Sequence, residues 1–230
     1  MIHTRDLCVS YPGAQALRGV SLHVAAGERV ALVGANGAGK TSLLLALMGL
    51  LPPTAGEARV DGLPVTKENL AQVRRRAGLV FQNPDDQLFM ARVLDDVAFG
   101  PRNLGLGAQE ARARATQALQ DRGIAHLAQR APLRLSGGEK RLAALAAVLA
   151  MQPSLLLLDE PTAFLDPRAR RALIAALTGL PHTQLIATHD LAFAQAVCAR
   201  ALALRDGELV WQGPVTELLS DEALLDRCGL

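Results

Sequence analysis

A chain of 230 residues, half of them apolar, can bury one sizeable core but not several independent ones. Aromatic side chains make up only 3%, so leucine, alanine and valine must fill that core. A formal charge of +2 gives no global field that would make nucleic acid or an anionic membrane the main partner, and any recognition must be local.

The first residues, Met1 to Asp6, lack a basic stretch followed by an apolar one, so no secretory signal is expected and the chain should stay in the cytoplasm. Ile2 to Val9, Val20 to Val24 and Arg29 to Val33 alternate or carry β-branched residues and read as strands. A helix should open at Lys40 and run to Leu51, stopped by Pro52-Pro53, with short strands at Glu57 to Asp61 and Gly78 to Gln82. From Asp85 to about Met151 the pattern turns helical, with Ala108 to Arg122 and Glu139 to Met151 rich in helix formers. Then α/β alternation returns: strand Leu155 to Leu158, helix Pro167 to Leu180, strand Gln184 to Thr188, helix Leu191 to Ala199. A hairpin about Asp206-Gly207 and a short helical tail close the chain. Such alternation around a glycine-rich loop implies a mostly parallel sheet with its site at the strands' C-terminal ends. Cys8, Cys198 and Cys228 are odd in number and far apart, which fits thiols in a reducing compartment rather than a disulfide framework or a zinc site. The apolar runs Leu43 to Leu51 and Leu142 to Met151 fall short of the roughly 18 residues that span a bilayer, so a membrane role needs a partner.

Gly34-Ala35-Asn36-Gly37-Ala38-Gly39-Lys40-Thr41 fits the G-x-x-x-x-G-K-[ST] loop, and it lies after a strand and before a helix, where that loop works. Its glycines let successive N–H groups point inward as an anion nest at the positive end of a helix dipole. Lys40 adds charge for β and γ phosphates, and Thr41 offers a hydroxyl to Mg²⁺. By itself the motif says only nucleoside triphosphate. Four leucines, Leu155 to Leu158, run into Asp159 and Glu160 at the same sheet edge: Asp159 can hold magnesium through water and Glu160 can act as general base on the attacking water. A solvated strand end is the plainer reading, but carboxylates at the rim of a buried strand need partners. His189 follows another strand, where a helix-cap neighbour is the ordinary reading, and Tyr11 precedes the loop and could stack on a base.

Leu135-Ser136-Gly137-Gly138-Glu139 opens the helix ahead of the leucine-rich strand and resembles the signature of the ATP-binding-cassette ATPases. The resemblance covers essentially the whole chain, in the family's order. Tyr11 is similar to the adenine-stacking aromatic. Gly34 to Thr41, with Asn36, Gly37, Ala38 and Gly39 inside it and Ser42 after it, is similar to Walker A, and Gln82 to the Q-loop glutamine. Leu155 to Asp159 resembles Walker B, Glu160 the catalytic glutamate, Ala163 to Asp166 the D-loop and His189 the switch histidine. The resemblance implies ATP and Mg²⁺ as ligands. Thr41, Gln82 and Asp159 would serve the metal, Glu160, His189 and Gln82 the chemistry, and Ser136, Gly137, Gly138 and Asp166 the nucleotide across an interface. It implies an α/β fold: a RecA-like P-loop core with an antiparallel β subdomain and an inserted α-helical subdomain at about 85–151, within one domain over 1–230. With the Walker A and signature sites on different lobes, two chains must share each ATP, which makes a head-to-tail dimer around two nucleotides.

The signature departs from the common pattern at Glu139, usually Gln, and at Leu142, with an arginine one residue early at Arg141. A carboxylate repels triphosphate, so Glu139 is expected to face the ribose side or its own helix terminus. Phe81 to Phe89 and Asp96 to Leu106 look like the ATPases of energy-coupling-factor and cobalt or nickel importers. That implies a peripheral ATPase on the cytoplasmic face of the cell membrane, bound to a transmembrane coupling subunit and to a second ATPase subunit as a homodimer. Its cargo would be a transition-metal ion, cobalt first, or a vitamin. Asp85 and Asp86 are either turn residues after Pro84 or partners for basic residues of the membrane subunit's coupling helix. The rival readings are a cassette ATPase acting on nucleic acid or ribosomes and a non-hydrolysing regulatory cassette. Balanced charge and the lack of a second cassette disfavour the first, and no nucleic-acid partner is expected. Glu160 and His189 disfavour the second.

Overall fold

A computed structural model describes all 230 residues, Met1–Leu230. The strands are β1 (Ile2–Tyr11), β2 (Ala14–Val24), β3 (Arg29–Val33), β4 (Ala55–Val60), β5 (Leu63–Pro64), β6 (Ala77–Val80), β7 (Leu155–Asp159), β8 (Thr183–Ala187), β9 (Arg200–Arg205) and β10 (Glu208–Pro214). The helices are α1 (Lys40–Leu47), α2 (Leu70–Arg76), α3 (Val93–Asn103), α4 (Ala108–Asp121), α5 (Gly137–Leu149), α6 (Pro167–Thr178), α7 (Leu191–Val197), α8 (Val215–Ser220) and α9 (Glu222–Cys228). The chain divides into two compact units. One holds Met1–Leu79, Ser154–Glu160 and Pro181–Leu230, and the other Val80–Pro153 and Pro161–Leu180.

The first unit carries a four-stranded antiparallel sheet in the order β2-β1-β4-β5 and a six-stranded sheet in the order β10-β9-β3-β8-β7-β6. In the larger sheet β7, β8, β3 and β9 run parallel, and β10 pairs antiparallel at the edge. β7 and β8 are buried along their whole length, which is why β7 reads as an apolar run, although β8 opens on the buried polar pair Thr183-Gln184. Their register decides where the chemistry lies: Leu32 of β3 pairs with Ala187 of β8, and Ala187 pairs with Asp159 of β7. The loops after all three strands therefore leave from one edge of the sheet.

α1 ends four residues before the expected stop. Gly49, at φ 60°, turns the chain in the left-handed region, and a Cβ there would lie 2.1 Å from Leu70 Cδ2, so the glycine rather than Pro52-Pro53 ends the helix. α2 had no expectation because only Val73 of it is buried and no apolar period shows. All three cysteines are free thiols, and burial pushes that of Cys198 up to about 12, which keeps it inert.

In the second unit α3, α4 and α5 pack through Val93, Val97, Leu119, Leu127 and Ala143, with alanines at 115, 118 and 146 allowing close approach. One carboxylate is sunk into this unit. Asp96 is buried, its Oδ1 accepts the Phe89 and Met90 N–H groups at 2.9 Å each, and desolvation pushes its pKa up. Because the folded pKa is raised, the charged form is a burden on the fold that disappears as pH falls through that pKa. Asp96→Asn keeps an acceptor and loses the burden, so it should stay within about 1 kcal/mol of the parent at pH 7. Asp96→Ala leaves both N–H groups unmet and should cost about 1–3 kcal/mol in urea unfolding.

Candidate functional site

The phosphate loop is built by backbone geometry that only glycine supplies. Gly34 leaves β3 with φ 155°, and a Cβ on it would lie 2.3 Å from the Leu204 carbonyl oxygen; on Gly39, at φ 103°, one would lie 2.6 Å from that of Ala16. Gly39 is the N-cap of α1 and offers no capping side chain, and the first turn holds no carboxylate. The helix thus presents its positive end to the loop, as an anion site requires. Lys40 is buried, and its Nζ donates to the carbonyls of Gly34 at 2.7 Å and Ala35 at 3.1 Å, which fixes the ammonium inside the curl of the loop.

Two carboxylates from the end of β7 meet this loop. Thr41 Oγ1 donates to Asp159 Oδ2 at 2.8 Å. Glu160 Oε1 lies 3.5 Å from Lys40 Nζ and 3.0 Å from His189 Nδ1, and its Oε2 accepts the His189 N–H at 3.3 Å. Glu160 sits at φ 40°, a left-handed conformation that a glutamate adopts at a cost, and its N–H is held by the Ala187 carbonyl at 2.8 Å. The strained turn separates the two acids: Asp159 goes to the threonine and Glu160 to the lysine and histidine. Glu160 is buried while the His189 side chain remains 61% exposed, so the histidine forms the open side of the cluster. Tyr11 joins it from the end of β1, with its hydroxyl 3.4 Å from Ser42 Oγ in α1.

Thr41 and Asp159 supply two hard oxygens in contact, and these fit a cation such as Mg²⁺ that takes few protein ligands and keeps most of its waters. The first unit thus brings together Tyr11, the loop from Gly34 to Ser42, Asp159, Glu160 and His189. Gln82, Ser136, Gly137, Gly138 and Asp166 belong to the second.

In that second unit Ser136 and Glu139 form a reciprocal cap on α5: Glu139 Oε2 accepts the Ser136 N–H at 2.8 Å, and Ser136 Oγ accepts the Glu139 N–H at 3.3 Å. The Ser136 N–H is also the main reason that the Glu139 carboxyl is held below its ordinary range. Of the two expected orientations, the unusual glutamate takes the one toward its own helix terminus. Gly138 serves packing, since a Cβ on it would lie 2.7 Å from Ala169 Cβ of α6. Asp166 caps α6, accepting the N–H groups of Arg168 and Ala169 at 2.8 Å each. The displaced arginine has a specific place. Arg141 is buried, and its guanidinium donates to the carbonyls of Phe81 and Gln82 at 2.7 Å each, tying the signature helix to the Gln82 segment. Asp85 pairs with Lys140 at 2.6 Å, and Asp86 Oδ1 accepts from Asn83 Nδ2 at 3.4 Å. Sequence reasoning included Phe89 and Phe99 in the two segments that carry the importer resemblance but missed that they form an exposed edge-to-face pair 5.1 Å apart. Their exposure was the signal, and only the fold carries it.

A family model described as ABC transporter matches residues 17–163. The energy-coupling factor transporter ATP-binding protein EcfA of Methanothermobacter thermautotrophicus is 45% identical over 236 residues, covering 100% of this chain and 76% of that one. Among solved structures, CbiO1 of Clostridium perfringens, part of the ABC transporter complex cbiONQ, is 35% identical with a TM-score of 0.84, covering 98% of this chain and 93% of that one. An ATP-binding cassette solved as a dimer in a post-hydrolysis state with ADP and Pi is 28% identical with a TM-score of 0.85, covering 94% and 99%.

The loop geometry generates a direct test. Gly34→Ala drives a methyl into the Leu204 carbonyl, so it should lower stability by about 1–3 kcal/mol in a denaturant titration. It should also weaken ATP binding by at least about tenfold, as the nest opens. Unchanged affinity would show that the nest does not hold phosphate.

Proposed function

This chain belongs to the ABC transporter family, as an ATP-binding and hydrolysing subunit, and from that premise we propose an importer ATPase of the energy-coupling-factor type that works as a homodimer around two ATP molecules. The observation that carries the mechanism is the joining of Glu160 to both Lys40 and His189 at the mouth of the phosphate loop. ATP places its phosphates in the loop, with Lys40 against the β and γ groups and Tyr11 against the base. Thr41 and Asp159 would hold Mg²⁺, with Gln82 proposed as a further ligand, and the cation would supply charge neutralisation on the phosphates. Glu160 accepts the proton of the attacking water, and His189, on the open side, steadies the γ phosphate and the glutamate.

The dimer reading is supported by the two half-sites and by one side chain. Ser136 and Gly138 would close over the nucleotide held by the second subunit's phosphate loop. Phe164, in the D-loop, is 94% exposed at φ 62°, an apolar group that a second subunit would cover. The relative solved as a dimer with ADP and Pi supports the same arrangement. Toward the membrane, the exposed Phe89–Phe99 pair offers an apolar face to a transmembrane coupling subunit, with Asp86 three residues before Phe89 and Asp85 already paired with Lys140, and the likeness to EcfA and to CbiO1 supports an importer. No helix is long and apolar enough to cross a membrane, so attachment would be peripheral, on the cytoplasmic side. The cargo is proposed as a transition-metal ion, cobalt first, or a vitamin.

Glu160→Gln keeps the size of the side chain and its hydrogen bonding but cannot take the proton. Hydrolysis should fall by about 10²- to 10⁴-fold while ATP affinity holds within a few-fold. A variant hydrolysing at the parental rate would remove Glu160 from the chemistry.

A further inference from the structure

One face of the second unit holds side chains to which the proposed mechanism gives no role. A cavity of about 590 Å³ is lined by Ala91, Arg92, Gln129, Arg130, Ala131 and Arg134. Its frame is firm: the Val93 N–H donates to the Arg130 carbonyl and the Leu94 N–H to that of Ala128, each at 3.0 Å, so the segment before the signature is stitched to the start of α3.

The cavity's own lining carries positive charge only. Between Arg122 and Gly138 the chain has no aspartate or glutamate, although its total charge is only +2. Arg92 Nη1 donates to Gln129 Oε1 at 3.2 Å, a neutral acceptor, and no carboxylate pairs with any of the three arginines; Glu139 feels Arg130 only at longer range. Arg92 stands at the N-cap of α3 and makes no capping bond, while Asp95 and Asp96 in the first turn answer the helix dipole. The three guanidinium groups are exposed around one cavity, and their local positive potential favours an anion in that space. Between two of these arginines lies Leu133, 86% exposed on the short turn Pro132–Arg134.

Guanidinium groups recognise phosphate through paired N–H donors, and a bare leucine among them gains only where an apolar layer lies directly beneath the phosphates. We propose that this cationic pocket with its leucine docks on anionic phospholipid, with a headgroup phosphate in the cavity and Leu133 in the acyl boundary. A soluble anion would satisfy the arginines and leave Leu133 without a role. The inference rests on the chain working at a membrane, and it gives that peripheral subunit a lipid contact of its own besides its protein partners.

The test uses the purified full chain and protein-free vesicles of phosphatidylcholine, with or without about 30% phosphatidylglycerol, read by co-sedimentation. The parent should partition to the anionic vesicles at least about a hundredfold more strongly, and less so as salt is raised. Arg92→Gln, Arg130→Gln and Arg134→Gln together should lower that partition by roughly a hundredfold, and Leu133→Ser by roughly three- to tenfold with the salt dependence kept. Thermal melts and ATP hydrolysis of both variants should match the parent, which separates this test from that of Glu160. Equal partition of the parent and the triple variant would overturn the proposal. So would tight binding of free glycerol 3-phosphate that is indifferent to Leu133, or loss of the transmembrane subunit by the triple variant in lipid-free detergent.

Discussion

The buried contact of Lys40 with Glu160 is the interaction on which the rest of the site depends. An ammonium and a carboxylate 3.5 Å apart, both nearly excluded from solvent, are tolerable only with further polar partners. Lys40 has the carbonyls of Gly34 and Ala35, and Glu160 has His189. Those partners come from the ends of three adjacent strands, so the parallel register of β3, β8 and β7 is a requirement of the chemistry as well as of the core. The glycine contacts at Leu204 and Ala16 bring the loop's backbone in close enough for the lysine to reach.

The same logic explains the division of labour between the two acids. Successive residues on a strand point to opposite faces, and the left-handed turn at Glu160 adds a sharp change of direction. One carboxylate can therefore serve a threonine hydroxyl and a metal while its neighbour serves a lysine, a histidine and a water. In the second unit Arg141 and the Ser136–Glu139 cap do comparable work with neutral partners, holding the Gln82 segment and the start of α5 in fixed positions.

Much of this was legible in the sequence because its signals are local. The phosphate loop, the leucine-rich strand with its two acids and the signature each state their chemistry within about ten residues. The strand–helix alternation, with buried runs at Leu155 to Leu158 and Gln184 to Thr188, was enough to place the phosphate loop and the two acids at one sheet edge. What escaped depends on partners distant in sequence. The end of α1 is set by what Gly49 meets at Leu70, the purpose of Arg141 by carbonyls some sixty residues earlier. The choice of Glu139 between ribose and cap was settled by a reciprocal pair of hydrogen bonds with Ser136. The arginine pocket could not be read because Arg92 lies far from Arg130 and Arg134 along the chain, and balanced total charge conceals a local excess.

The central claim is that one chain supplies the phosphate loop and a second supplies the signature, so that hydrolysis needs two copies gripping two nucleotides. Sedimentation velocity on the Glu160→Gln chain measures this most directly, since the substitution should arrest the assembly with ATP in place. The account predicts a dimer with ATP and Mg²⁺ that returns to monomer with ADP, and that is lost when Ser136 is also replaced by arginine. A chain that binds ATP tightly and still sediments as a monomer would contradict it.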